Sequence, residues 1–314
     1  MKAKKMFGAL FRKAGNRLIG FANRLSPPPA GNRFLDFFYP GHFYSPVPDA
    51  EFVDKNADIL FRDEVADLPG IENNWSAQAE LVGAFSKYAP DYKPAATAEE
   101  ARATKACYFS ENPFFKEMDA YAYYGMLRHY QPKKIVEAGS GFTSALAIDV
   151  GERFLNTKPR FVFIDPFPER LHSVLERGEH ENVSILEKPV QQVGRDIFLQ
   201  LAAGDFLFID SSHVSKIGSD VNFLLLEILP RLQKGVIVHV HDVFWPFEYP
   251  KPWLDEGRSW NEIYLLRGIL ANSSRYRILF FNSYIAKQHP DALKNLPAWA
   301  MPGQAASIWF EIIS

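Results

Sequence analysis

From Lys133 onward, short apolar runs alternate with stretches of helical periodicity. The runs are "KIVEA" (134–138), "RFVFID" (160–165), "VSILEK" (183–188), "DFLFID" (205–210), "GVIVHVHD" (235–242), "YRILFFN" (276–282) and "SIWFEII" (307–313). They are rich in Val, Ile and Phe and too short for core helices, so they read as buried strands. Between them, "SALAIDVGERFL", "PERLHSVLERG", "DVNFLLLEILPRL" and "WNEIYLLRGILAN" repeat their apolar residues at helical spacing. The alternation predicts an α/β fold: a doubly wound, mostly parallel sheet with helices on both faces. The last two strands are separated by a stretch that reads as a loop rather than a clear helix, which would let the final strand insert antiparallel.

Upstream, the pattern is less regular. Three segments are expected: 1–25 as a basic arm, 26–130 as an extension of short helices and loops, and 131–314 as the sheet domain. "SPPPAGN" (26–32) separates the arm from the extension. "FYPGHFYSPVPD" (38–49) has too many prolines for a regular helix, whereas "NNWSAQAELVGAFSKY" (73–88) and "ENPFFKEMDAYAYYGMLRHY" (111–130) read as helices.

Charge changes the picture mainly at the start. Residues 1–25 carry seven Lys or Arg and no acid, although the whole chain of 314 residues has a net charge of −2. The remainder is therefore acidic, which argues against a nucleic-acid partner. The arm reads either as an amphipathic helix resting on an anionic membrane surface or as a terminal helix packed on its own domain. No stretch is apolar enough to span a bilayer. The expectation is a cytoplasmic protein with peripheral contact at the inner face of the membrane through residues 1–25. Cys107 is the single cysteine, so an internal disulfide is excluded.

The chemistry gathers where strands end. Four apolar runs stop at an acid or a histidine: Glu137 before "AGSG", Asp165, Asp210 before "SSH", and His241-Asp242. In an open α/β sheet, ligands lie at the carboxyl ends of the strands. Gly139 and Gly141 allow a tight turn and close approach of a ligand. A pyrophosphate cofactor favours G-x-G-x-x-G, but the third glycine position is Ser144 and Glu137 precedes the turn. An acid there suits a ligand with a sulfonium and an ammonium group. Asp165 is placed to accept from ribose hydroxyls. S-adenosylmethionine fits this better than NAD.

At these residues the chain resembles the class I S-adenosylmethionine-dependent methyltransferases over about residues 130–314. "VEAGSGFTS" is similar to their first motif and "FIDPFPERL" to their second. The resemblance implies a Rossmann-like seven-stranded sheet whose last strand is antiparallel. It implies Gly139, Ser140 and Gly141 against the methionine part of the cofactor, Asp165 and Pro166 against the ribose, and Val190 and Gln191 near the adenine. The segment from Phe208 to Pro250 resembles a bacterial branch of macrolide-sugar and glycan-pathway O-methyltransferases, in which an Asp-x-Ser-His turn and a later acid pair bind magnesium.

That branch implies His213 as general base. Asp210 is implicated in catalysis, the cofactor site and a metal site shared with Asp242. His241 departs from the branch, standing where a carboxylate is expected. Magnesium prefers oxygen ligands and imidazole suits zinc, iron or nickel. His241 therefore lies outside the shell, binds a softer metal, or marks a site without metal. Phe244, Trp245, Tyr249 and Trp253 follow Asp242 in a proline-rich loop and, with Trp260, are expected to line an acceptor pocket. His42 and Tyr44 are expected to form a lid. The acceptor is expected to be a saccharide or related small molecule. Two alternatives stand beside this reading: a metal-dependent hydroxylase-like enzyme on the same fold, in which His213, His241 and an Asp form a two-His-one-carboxylate iron site, and a non-catalytic adenosyl-ligand-binding domain.

Overall fold

The computed structural model describes residues 40–62, 65, 67–175, 180–301, 303 and 305–314. The basic arm, 1–25, lies outside the described residues. Contacts divide the chain into two units, Met1–Leu60 and Phe61–Ser314. In the first, Asp49 caps the helix Ala50–Lys55 by accepting from the Phe52 N–H at 2.8 Å, and a second turn of helix spans Ala57–Leu60. His42 and Tyr44 belong to this unit, where the Tyr44 N–H donates to His42 Nδ1.

The second unit is built on seven strands: β1 Lys134–Ala138, β2 Arg160–Ile164, β3 Val183–Leu186, β4 Phe206–Ile209, β5 Ile237–His241, β6 Tyr276–Phe281 and β7 Ser307–Ile312. Their order is β3-β2-β1-β4-β5-β7-β6. The first five are mutually parallel, and β7 runs antiparallel between β5 and β6. This is the predicted seven-stranded sheet with an antiparallel last strand. β4 is buried at every position, which is why it reads as an unbroken apolar run, and β5 is buried throughout although it holds His239 and His241.

Two features differ from the expectation. The chain between β6 and β7 is not simply a loop, because a helix, Asn282–Gln288, follows β6 directly. No glycine or proline marks the junction, and Asn282 is fully buried. The packing boundary also falls at residue 60 rather than 130. Helix Trp75–Tyr88 packs on β6 through Phe85 and Phe280, whose ring centroids are 5.1 Å apart, and Gln78 accepts from the Phe281 N–H. Helix Glu117–Tyr130 packs on β4 through Tyr123 and Phe208 at 4.8 Å. The second half of the extension is thus a layer over the sheet. No helix among the described residues is long and apolar enough to cross a membrane.

Candidate active site

The turn after β1 shows why glycine is needed at its first position. Gly139 has φ +82°, and a Cβ there would collide with the Asp210 carbonyl oxygen. That approach draws β1 and β4 together, and the Asp210 N–H donates to the Ala138 carbonyl at 2.8 Å. Asp165 clamps the turn from β2. Its Oδ2 accepts from the backbone N–H and hydroxyl of Ser140, at 2.9 and 3.0 Å, while its Oδ1 accepts from the Phe167 N–H at 2.8 Å. Pro166 is exposed beside it. Val190 is buried, and Gln191 ties the loop after β3 to the Gly218 carbonyl.

Glu137 lies beneath the turn, fully buried, rather than on the cavity wall. Its Oε1 accepts from the Thr143 and Ser144 hydroxyls, which belong to the first turn of helix Phe142–Phe154. Its Oε2 is buried without a partner. The residue expected to face a cationic ligand thus braces the turn instead. Burial pushes its carboxyl up to about 8, against the opposing effect of the two hydroxyls. A carboxyl raised in the folded state binds its proton there more tightly than in the unfolded chain. Stability should therefore fall as pH rises from about 4.5 to about 8 and level off above. Glu137→Gln keeps the shape of the neutral acid. It should remove that slope, making the variant more stable than the parent at pH 8 by on the order of a few kcal/mol. Urea unfolding of both proteins across this range checks it, and parallel curves would refute it.

At the ends of β4 and β5, two histidines and four acids converge. His213 Nδ1 donates to Glu262 Oε2 at 2.9 Å, so its Nε2 faces Asp210 Oδ1 at 3.5 Å and Asp242 Oδ2 at 3.3 Å. His241 Nδ1 lies 3.6 Å from Asp210 Oδ1 and 3.4 Å from Asp242 Oδ1, and its Nε2 lies 3.7 Å from Asp119 Oδ2. All but Asp210 are buried. Burial disfavours charge on His213, but its bonds to Asp210 and Glu262 and the nearby carboxylates outweigh this and raise it to about 10. Burial likewise opposes charge on His241, and the charges of Asp242 and Asp210 push it well up. Burial works against the ionised form of Asp210 too, yet the two imidazoles hold it far below the ordinary carboxylate range.

The backbone is strained where this cluster is made. His213 has φ +59° and Asp242 φ +56°, values uncommon for residues with a side chain. The N–H groups of Asn261 and Glu262 both donate to the His213 carbonyl at 3.1 Å, which helps hold the turn. Both His241 nitrogens and Asp242 Oδ1 lack a hydrogen-bond partner. Asp210, His241 and Asp242 each offer a ligand atom within 4.8 Å of the others. Buried donors drawn together but not bonded to one another are what a cation would satisfy, so the residues fit a metal.

A cavity of about 950 Å³ opens over this cluster and the glycine turn. Ser140, Gly141, Asp210, His213, His241 and Asp242 reach it, and Phe244, Trp253 and Trp260 also line it. Phe244, Trp253 and Trp260 therefore border the cavity. Trp245 does not: it is fully buried against Phe281 and Tyr284. Tyr249 is buried behind the wall, where its ring meets Trp253 and Trp260 and its hydroxyl accepts from the Ile263 N–H at 3.4 Å. A proline-rich loop alternates inward and outward without a fixed period, so its sequence does not say which rings face the cavity.

Residues 136–243 match the family model described as a methyltransferase domain. An uncharacterized protein of Archaeoglobus fulgidus is 34% identical over 164 residues, spanning 51% of this chain and 72% of that protein. The chain belongs to the class I S-adenosylmethionine-dependent methyltransferases. Among solved structures, this methyltransferase is similar to the Podospora anserina methyltransferase PaMTH1 in its SAH-bound form. The identity is 14% and the TM-score 0.42, with 86% of this chain and 99% of that one covered. It is also similar to the Streptomyces achromogenes O-methyltransferase TomG in complex with SAM, at 16% identity and a TM-score of 0.39, covering 82% and 96% of the two chains. Glu262 and Asp119 complete the methyltransferase's cluster, and neither was expected from the sequence. Asp119 is the one acid inside the ring-rich run "MDAYAYY", and that isolation was the available signal.

Proposed function

We propose that this methyltransferase transfers the methyl group to a hydroxyl of a saccharide or related small molecule, with His213 accepting the hydroxyl proton and a divalent metal assisting. The observation that carries this reading is His213 Nε2. It borders a ring-walled cavity while Nδ1 is engaged by buried Glu262. That bond fixes the tautomer, leaving Nε2 as the basic atom once its proton is lost.

S-adenosylmethionine, when bound, supplies an already activated methyl group. The protein then has to align the acceptor oxygen and remove its proton. Ser140 and Gly141 line the cavity side where the donor would rest, and Asp165 fixes their turn. His213 takes the proton, and Asp210 and Asp242 stabilise the imidazolium that results. Asp210, His241 and Asp242 would hold the metal, which would lower the hydroxyl's pKa. The walls of Phe244, Trp253 and Trp260 offer flat apolar faces beside polar groups, as sugar rings require. The likeness to macrolide-sugar enzymes rests on the Asp210-to-His213 turn and the acid at Asp242.

Asp165→Ala releases the clamp on Ser140 and removes the ribose acceptor. Calorimetry should show micromolar binding of S-adenosylmethionine to the parent, weakened by roughly tenfold or more in the variant. Supplying a labelled methyl donor with a panel of saccharides should then place label on a hydroxyl oxygen. Binding of NAD in place of the sulfonium compound, or label found only on nitrogen or carbon acceptors, would overturn the reading.

A further inference from the structure

The cavity is lined by both signs of charge. Its acids, Asp210 and Asp242, cluster with His213 and His241, and Arg170, Arg258 and Lys287 also line it. Arg258 is the one of these cations that shares a ring, Trp260, with the proposed base. Its guanidinium carbon lies 4.4 Å from the Trp253 ring centroid and 5.1 Å from that of Trp260. The two indoles meet edge to face at 5.3 Å, and the Arg258 N–H donates to the Trp253 carbonyl at 3.0 Å. Two rings therefore restrain a side chain that is ordinarily free to move in water, and the main-chain bond fixes the backbone that bears it.

The ring that carries Arg258 also carries the histidine. Trp260 packs on His213 with centroids 4.3 Å apart. Arg258 and His213 thus both touch Trp260, so the two groups can be no farther apart than those two contacts together allow. Glu256 Oε2 reaches Arg258 at 2.8 Å, but with side chains 54% and 37% exposed the pair is solvated. An ion pair of that kind contributes little and yields to a better acceptor. A guanidinium has five donors in a planar fork that matches a carboxylate or a phosphoryl group.

We propose that the methyl acceptor carries an oxyanion, a carboxylate or phosphoryl group, which docks on Arg258 while a hydroxyl one ring away meets His213. This rests on the O-methylation reading and narrows its substrate class from saccharides in general to anionic ones. Trp253 and Phe244 offer apolar faces to the ring, and the carboxylates around His213 disfavour an oxyanion there, leaving it to Arg258.

The test titrates the full chain by calorimetry with D-glucuronate, D-glucose 6-phosphate and D-glucose, in the presence and absence of S-adenosylhomocysteine. At least one anionic sugar should bind about tenfold or more tighter than glucose. Comparing glucuronate with the phosphate tells a carboxylate site from a phosphoryl site. Arg258→Gln should erase the preference while leaving affinity for S-adenosylhomocysteine unchanged, and Arg258→Lys should keep part of it. Equal binding of glucose and both anions, a preference that survives in Arg258→Gln, or no binding of any of the three would overturn the proposal. Failure of S-adenosylhomocysteine to bind would instead count against the cofactor site, because the titrations without it still decide the anion preference.

Discussion

His213→Ala is expected to lower turnover by roughly 10²–10⁴-fold, the usual contribution of a positioned general base, while affinity for S-adenosylhomocysteine stays within about twofold. The geometry separates the two effects. His213 lies on the β4 side of the cavity, and the turn at Ser140 and Gly141 is held by Asp165 and Glu137 without help from the imidazole. Removing the ring also leaves Oε2 of Glu262, a residue 1% exposed, without its partner, with only the Ser211 hydroxyl still bonded to Oε1, so the variant should be less stable. His213→Ala combined with Glu262→Gln restores a neutral interior and separates lost stability from lost chemistry. The raised proton affinity of His213 adds a pH signature. A histidine raised to about 10 contributes stability that is fully present below about 6.5 and is lost as pH rises through about 10. The same proton must leave before Nε2 can accept one, so turnover without a bound cation should climb with pH towards about 10. Unchanged turnover in His213→Ala, with a flat profile in the parent, would remove this residue from the mechanism.

Much of this arrangement is legible in the chain because parallel strands buried on both faces are apolar along their length. A polar residue in such a run stands out, and it stands out at the strand's carboxyl end, where "FID" stops at Asp210 and "VIVHVHD" at His241 and Asp242. His239 shows the limit of that signal. It lies in the same run as His241, yet it is fully buried inside the sheet, stacked on Phe208 at 3.7 Å. Residues brought in by packing were not legible. Glu262 arrives at His213 from a helix 49 positions away, and nothing in "WNEIY" distinguishes it from a solvated acid opening a helix. Arg258 gains its place from two tryptophans on either side of a loop, a geometry that sequence spacing does not encode. Glu137 was legible as an unusual acid, but its direction was not. Whether it faced a ligand or the turn depended on Thr143 and Ser144, whose hydroxyls are brought to it by the first helical turn.

The second large effect concerns the cation, and here the direction of its pH dependence is fixed by the two imidazoles. His213 and His241 are both held protonated by their carboxylate neighbours, so a metal entering among Asp210, His241 and Asp242 must displace protons. Metal affinity should therefore rise with pH, and calorimetry in buffers of different ionisation heat should show proton release. A donor set mixing imidazole with carboxylates suits manganese, iron or zinc better than magnesium, which favours oxygen alone. Removing metal with a chelator should lower turnover by on the order of 10²-fold, with recovery on adding manganese or zinc greater than with magnesium. Asp119 supports His241 from the side away from the cluster, at 3.7 Å, and is itself held by Asn282 and the Ala306 N–H. Asp119→Asn should thus weaken metal binding by about 10–100-fold. Asp242→Asn, which neutralises a proposed ligand, should weaken it further. Elemental analysis of the purified protein gives a readout independent of activity. A protein that holds no metal, gives no heat with any of the three ions and turns over fully in chelator would leave Asp210 and Asp242 as counter-ions to two histidines and nothing more.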